Sequence, residues 1–302
     1  MKLHIGMVTI FSIAILIISP VSSQYHDFYC EDKVGNYAAT SAYQYNLNLI
    51  LPNLANKASL SRFNNDMIGE GIDQTYGLYM CRGDINEQQC HDCVQAASLA
   101  IVQHCPVQKE AIVWYEQCMV RYANHSIFSH EDESYWSSSS SRGNMSDIAE
   151  LGQIVSEAVD DLIAQAAYNT SSGGYAIGQA KLTLFEDVYV FAQCTPDILG
   201  SRCERCLRVA LRNMAACCGM SRIRLAMYLP SCWLRYDEKQ IVGKLETSSL
   251  SPRSAFNFPR PLPNDSALVP PGRSRATKVE VGGFSFMFGL VMTATISFGL
   301  AW

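Results

Sequence analysis

The sequence predicts an α+β protein of two tandem, disulfide-stapled domains, and three observations carry that prediction. The stretch from Cys81 to Cys93 reads C-x8-C-x2-C and recurs from Cys194 to Cys206, with Asp-Ile at matching places inside the loop (Asp84-Ile85; Asp197-Ile198). The register persists beyond it: Cys105 maps onto Cys218 at the same offset. Cys118-x2-Arg121-Tyr122 maps onto Cys232-x2-Arg235-Tyr236 one residue further along. Around both cysteine stretches, helical and strand-like patterns follow in the same order, as in helices set on one face of an antiparallel sheet. The chain is a duplication.

Length and charge agree with this division. A chain of 302 residues holds two domains, each with its own core. The net charge of −5, without a long basic run, gives no reason to expect nucleic acid as a partner. Twelve cysteines fall six and six: Cys30, Cys81, Cys90, Cys93, Cys105 and Cys118, then Cys194, Cys203, Cys206, Cys217, Cys218 and Cys232.

Residues 1–23 read as a signal peptide. A short basic start precedes the apolar run Ile10–Ile18, and Val21-Ser22-Ser23 is a small-residue cleavage site before Gln24. The run is too short to span a bilayer. An oxidising compartment follows, and with it disulfides rather than thiols. Four sequons match that address, at Asn124, Asn144, Asn169 and Asn264.

The first domain is expected over 24–123. Leu47, Ile50, Leu51 and Leu54 recur at helical spacing between Ser41 and Ser61, with Pro52 marking a kink or break. Residues 63–80 read as strands leading into the cysteine loop. A second helical pattern follows the C-x2-C pair (Val94, Ala97, Leu99, Ile101, Val102), and Ala111–Tyr122 closes the domain as strand. Residues 124–145, with Ser137–Ser141, read as a flexible, glycosylatable linker, either free or packed on its neighbours.

The second domain, 146–242, repeats the order. Asp147 is its helix N-cap with Glu150 three residues on, followed by the stripe Ile148, Leu151, Val155, Val159 and Leu162. Residues 175–193 read as strands, Leu207, Val209, Ala210 and Leu211 as helix, and Ile223–Tyr236 as strand again. A Pro-rich stalk over 243–280 is expected to stay extended and unpacked. The tail 281–302 carries no charged residue. It reads as a lipid-anchor signal with Gly272 or Ser274 as attachment point, or as a transmembrane helix. The basic residues Arg273, Arg275 and Lys278 before it lie on the wrong side for the positive-inside arrangement, which favours the anchor.

Catalytic and metal chemistry find little in this sequence. Two C-x2-C pairs suffice in number for a four-cysteine zinc site, but they lie in separate repeats of a secreted chain. A redox reading of C-x2-C competes with the cysteine nine places upstream in each repeat. Stapling is the better account, at about 3 kcal/mol for a bridge closing so short a loop. All six histidines lie in the first half, and no G-x-S-x-G, H-E-x-x-H or P-loop occurs. His91 and His104 read as surface or satisfied helix residues, and Arg121 and Arg235 as strand positions that pair within the domain. No catalytic residue, metal site or cofactor is expected.

In tandem, C-x8-C-x2-C after a Tyr-Gly-Leu strand, closed by Cys-x2-Arg-Tyr, resembles the ginkbilobin-type (stress-antifungal) domain of land plants. Two such domains behind a signal peptide are similar to the cysteine-rich repeat secretory proteins, to plasmodesmata-located proteins and to the ectodomains of cysteine-rich receptor-like kinases. The resemblance implies two helices packed on a five-stranded antiparallel sheet in each domain. It implies the pairs Cys30–Cys105, Cys81–Cys90 and Cys93–Cys118, then Cys194–Cys203 and Cys206–Cys232. Cys218 has no counterpart of Cys30, so Cys217 and Cys218 are either a vicinal bridge or two thiols. The mannose-binding members use Asn, Arg and Glu at places where this chain has Glu31, Ile112 and Ala123. In the second repeat those places hold Ala226 and Asp237, with Arg224 displaced by two. The sugar site is therefore degraded in both repeats.

The resulting expectation is a non-enzymatic cell-surface binding protein of plants, acting in apoplastic signalling, defence or cell-to-cell communication. Its partner would be a cell-surface protein or an extracellular ligand, with carbohydrate as one class and homo- or hetero-oligomers with related domains as another. Membrane contact would run through the C-terminal tail. The alternatives are a plasmodesmata-located regulator with a transmembrane helix and an antifungal, lectin-like protein. An oxidoreductase is the remaining rival.

Overall fold

The computed structural model describes residues 25–140, 148–169, 171, 173–181, 187–219, 224–238 and 248–249. Side chains at 148–154 and 248–249 are also outside the description. The signal segment, Asn144, the Asp147 cap, the side chains of the stripe positions Ile148 and Leu151, Asn264, Gly272, Ser274 and the tail 281–302 therefore lie outside the described parts of the chain.

The first repeat runs β1 (Tyr25–Cys30), α1 (Ala42–Lys57), β2 (Phe63–Ile68), β3 (Thr75–Cys81), α2 (Glu87–His104), β4 (Ala111–Tyr115) and β5 (Cys118–Ala123). Its strands form an antiparallel sheet in the order β1-β4-β5-β3-β2. The second repeat runs β6 (Ser137–Ser140), α3 (Ile148–Tyr168), β7 (Tyr175–Lys181), β8 (Asp187–Cys194), α4 (Ser201–Cys218), β9 (Arg224–Tyr228) and β10 (Cys232–Asp237). The order β6-β9-β10-β8-β7 reproduces the first sheet strand for strand. Each repeat is thus two helices on a five-stranded antiparallel sheet.

Helix α1 forms because Tyr43, Leu47, Ile50 and Leu54 recur on one face, and all four are fully buried. Ser41 caps it, its hydroxyl accepting the Gln44 N–H at 3.2 Å. Pro52 does not break the helix as expected. Its ring is exposed, so the carbonyl that loses a donor lies on the solvent side, while the buried face holds the helix together. Gly77 of β3 lets α1 come close: a Cβ there would lie 2.9 Å from Leu54.

The C-x2-C pair lies inside the second helix rather than ahead of it. Helix α2 starts at Glu87, where Asn86 and Gln89 form a reciprocal capping box. Cys90 and Cys93 then sit one turn apart on the buried face. Cys90 bonds Cys81 at the end of β3, and Cys93 bonds Cys118 at the start of β5. Cys81 and Cys118 face each other across these two strands, so the helix is fastened to both neighbours at one end. Cys194, Cys203, Cys206 and Cys232 repeat the arrangement. Leu99 belongs to the stripe read from sequence but is exposed; Ser98 takes the buried place and donates to Leu51 O.

Two findings concern the connecting segments. Of the two arrangements open for the linker, residues 124–140 take the packed one: Ile127 is buried, Phe128 packs edge-on against Tyr76, and Tyr135 stacks on Tyr29 at 4.0 Å. The Ser-rich run is β6, paired with β9. At the other end, Ser248–Ser249 of the expected stalk form a short parallel strand, β11, on the edge of β7. That edge would otherwise present unpaired backbone groups.

Each sheet has apolar residues on both faces. One face packs on its own helices. The other faces the second sheet, and Leu78, Met80, Ile112, Trp114, Met119, Phe191, Ala226, Tyr228 and Trp233 form a core between the repeats. The layers are helices, sheet, sheet, helices.

Candidate functional site at the junction of the repeats

The shared core sets the site, because it brings the hairpin turn of each repeat against the other repeat. Gln193 of β8 crosses the junction twice, accepting from Gly83 N at 3.0 Å and donating to Cys81 O at 2.9 Å. Gly83 is required there: a Cβ would lie 2.1 Å from the Tyr175 ring. Arg121 is buried between Glu110 and Asp132, each at 2.6 Å, and Asp132 N donates to Ser231 in the β9–β10 turn. Arg235 pairs with Asp237 and, at 2.8 Å, with Glu116 in the β4–β5 turn. The paired arginines of the two Cys-x2-Arg-Tyr motifs thus each connect to the opposite hairpin. The pairing of Arg235 extends beyond its own domain, contrary to the sequence reading.

Beside Arg235 a small, half-open cleft holds a cavity of about 50 Å³ that is continuous with solvent at its mouth. Tyr25, His26 and Glu116 line it from the first repeat, and Ser139, Arg224, Ala226, Tyr228 and Arg235 from the second. His26 lies against the Tyr228 ring at 4.5 Å. Burial lowers the His26 pKa below its ordinary 6.5; Asp27 and Glu116 pull it up, while Arg224 and Arg235 lower it further. His26 is therefore neutral near pH 7. Burial alone would raise Glu116, but the hydrogen bond and charge of Arg235, with Arg82 and Arg224, hold it below the usual carboxylate value. It is an anion clamped by arginine.

Ser137, His26 and Asp27 come together at the edge of this cleft, yet not as a nucleophile and base. Ser137 donates its only proton to Asp27 at 2.6 Å. The 3.3 Å contact with His26 Nε2 then has the imidazole N–H as donor, so His26 takes no proton from the serine. Among the described residues, no cluster of His, Cys, Asp and Glu fits a metal ion, and no helix is long and apolar enough to cross a membrane.

The other residues singled out from sequence are dispersed. Cys30 bonds Cys105, and Cys217 bonds Cys218. Asn124 is half-buried at the end of β5. Asn169 is exposed just past α3, its Oδ1 accepting from Ser171 N and Oγ. His91 donates from Nδ1 to Ala55 O, and His104 stacks on Phe28 at 4.4 Å. Of the positions compared with the mannose site, Ile112, Ala123 and Ala226 are all buried between the sheets. Sequence reasoning missed the cleft because its walls come from separate segments spread between Tyr25 and Arg235.

A protein-family model described as "Salt stress response/antifungal" matches residues 29–125 and 137–239. The chain is 35% identical over 206 residues to putative cysteine-rich repeat secretory protein 7 of Arabidopsis thaliana, covering 67% of this chain and 72% of the relative. It is 32% identical to cysteine-rich repeat secretory protein 8 of the same plant, covering 69% and 78%. Against cysteine-rich receptor-like protein kinase 25 it is 32% identical over 78% of its own length but spans only 34% of the kinase. In fold it is similar to the tandem DUF26 ectodomain of the Arabidopsis thaliana cysteine-rich receptor-like protein PDLP8, with TM-score 0.63 and 22% identity over 72% of this chain and 100% of the other. The corresponding ectodomain of PDLP5 gives 0.57 and 24% with the same coverage. With both repeats matched by the family model and secretory relatives more than 30% identical over most of their length, this chain belongs to the salt stress response/antifungal family as a two-repeat cysteine-rich protein of the secretory protein type.

Proposed function

We propose that this protein is a non-enzymatic extracellular binding protein in which the two repeats act as one recognition unit, with ligand contact at the junction cleft. The observation that carries the reading is the cleft itself, whose walls come from both repeats and whose floor is their shared core. Two tyrosines, two arginines, a glutamate and a serine offer stacking faces with donors and acceptors, as recognition of a polar extracellular ligand requires. The proton arrangement at Ser137 and His26 supports a binding role over hydrolysis. Relatives named as secretory proteins support the extracellular setting. A mannose site of the ginkbilobin kind is disfavoured by the burial of Ile112, Ala123 and Ala226.

The uncharged tail and the small residues Gly272 and Ser274 support attachment to the outer membrane face through a lipid anchor. Release from intact cells by a phosphatidylinositol-specific phospholipase is the expected result. Retention in wall-spanning puncta would instead support the transmembrane, plasmodesmal alternative. The cleft is tested by probing a glycan and cell-wall oligosaccharide array and a cell-surface ectodomain panel with the secreted protein, its R224A variant and its S139W variant. Both substitutions lie at solvent-facing or half-exposed cleft positions. A ligand weakened roughly ten-fold or more, about 1.4 kcal/mol, by both variants supports the reading. A ligand bound equally by all three proteins places recognition elsewhere.

A further inference from the structure

We infer that Cys217–Cys218 is a thiol–disulfide exchange site, opened by an external dithiol while the fold stays intact. Five of the six bridges join separate elements, with sequence separations from 9 to 75. Cys217–Cys218 joins neighbours, with separation 1, and ties no element to another. A ring closed on its own peptide removes almost no freedom from the unfolded chain, so it contributes little to stability.

The reason for the odd pairing lies in the strand register. Cys30 faces Ala111 across β1 and β4. In the second sheet Ser140 faces Leu225 across β6 and β9, at the place that corresponds. Ser140 therefore stands where Cys218 would find its partner, and Cys218 bonds the residue before it. Cys217 occupies the place that His104 fills in the first repeat.

Accessibility sets Cys217 apart from the other cysteines. Cys81, Cys90, Cys93, Cys105, Cys118, Cys194, Cys203, Cys206 and Cys232 are all fully buried, and Cys30 is half-buried with its bridge closed on the fully buried Cys105. Cys217 is exposed in the last turn of α4, ahead of Gly219 at φ 64°, and Cys218 is half-buried. Thiol–disulfide exchange needs in-line access to a sulfur, and only an exposed bridge gives it without unfolding. A thiolate of the dithiol attacks Cys217 Sγ, forming a mixed disulfide and releasing the Cys218 thiolate, which takes a proton. The second thiol of the reagent then attacks the mixed disulfide at its own partner sulfur and releases the Cys217 thiolate, which is protonated in turn. The dithiol loses two electrons and two protons, and the cysteine pair gains them. Cys218 Sγ lies 3.8 Å from Ser138 Oγ, so the exchange takes place against β6, the strand that also carries Ser139 of the cleft.

The test uses the oxidised full chain secreted from a eukaryotic host, titrated with dithiothreitol under native conditions. Thiols are trapped with one isotopic form of iodoacetamide, and the remaining cysteines with another after denaturation. Peptide mass spectrometry should find Cys217 and Cys218 labelled at a reductant concentration roughly ten-fold below that for any other cysteine, with the thermal transition unchanged. In the C217S/C218S variant the protein should stay folded and lose the early-labelled step. Labelling without reductant would show free thiols and overturn the proposal. So would labelling of the pair only together with the buried bridges as the protein unfolds.

Discussion

Arg121 shows how much of this molecule depends on single buried charges. Its guanidinium meets Glu110 and Asp132 inside the protein, and Tyr135 donates to the same Glu110 at 3.0 Å. Removing one partner of such a set leaves the other charges buried and uncompensated, which costs more than the pairing contributes. R121A should therefore lower stability by about 3–5 kcal/mol in chemical denaturation, well beyond an exposed control such as R224A. His26 sets a pH dependence. Because burial and the nearby arginines lower its folded pKa, protonation favours the unfolded chain. The stability it contributes is complete above its ordinary 6.5 and is lost as pH falls below that value toward the folded pKa. Denaturation midpoints should thus decline below pH 6.5, and H26N should flatten that part of the curve. None of these partnerships was readable from residue spacing. Its motif predicts that Arg235 pairs within its own domain, whereas Glu116 lies 119 positions away.

At the scale of elements, the cysteine spacing and the apolar stripe of α1 were legible because each reflects a local rule. A stripe at helical period must face a core, and a repeated C-x8-C-x2-C must sit in repeated structure. The Ser-rich strand was not legible. Ser137–Ser140 has weak strand propensity and reads as linker, and only pairing with β9 makes it the counterpart of β1. That correspondence makes a prediction independent of any ligand. Introducing S140C together with C217S should create a bridge between position 140 and Cys218, detected by peptide mapping without reduction. A free thiol at Cys218 in that variant would mean that the register of β6 differs from that of β1.

At the scale of the molecule, the burial of both sheet faces has a signal in the sequence itself. β4 (Ala-Ile-Val-Trp-Tyr) is apolar throughout, without the alternation of a strand exposed on one side. Leu78, Met80, Trp114 and Met119 go to the junction, while Tyr79, Val113 and Val120 go to the helices. The two repeats expected from sequence are therefore halves of one body, and the proposed recognition cleft exists only if that body persists. The most direct measurement is differential scanning calorimetry of residues 25–249, disulfides intact, as wild type and with L78D at the junction face of the first repeat. A shared core predicts one transition whose calorimetric and van't Hoff enthalpies agree, shifted down as a whole by L78D. Two resolved transitions, with L78D moving only the one that belongs to the first repeat, would contradict it.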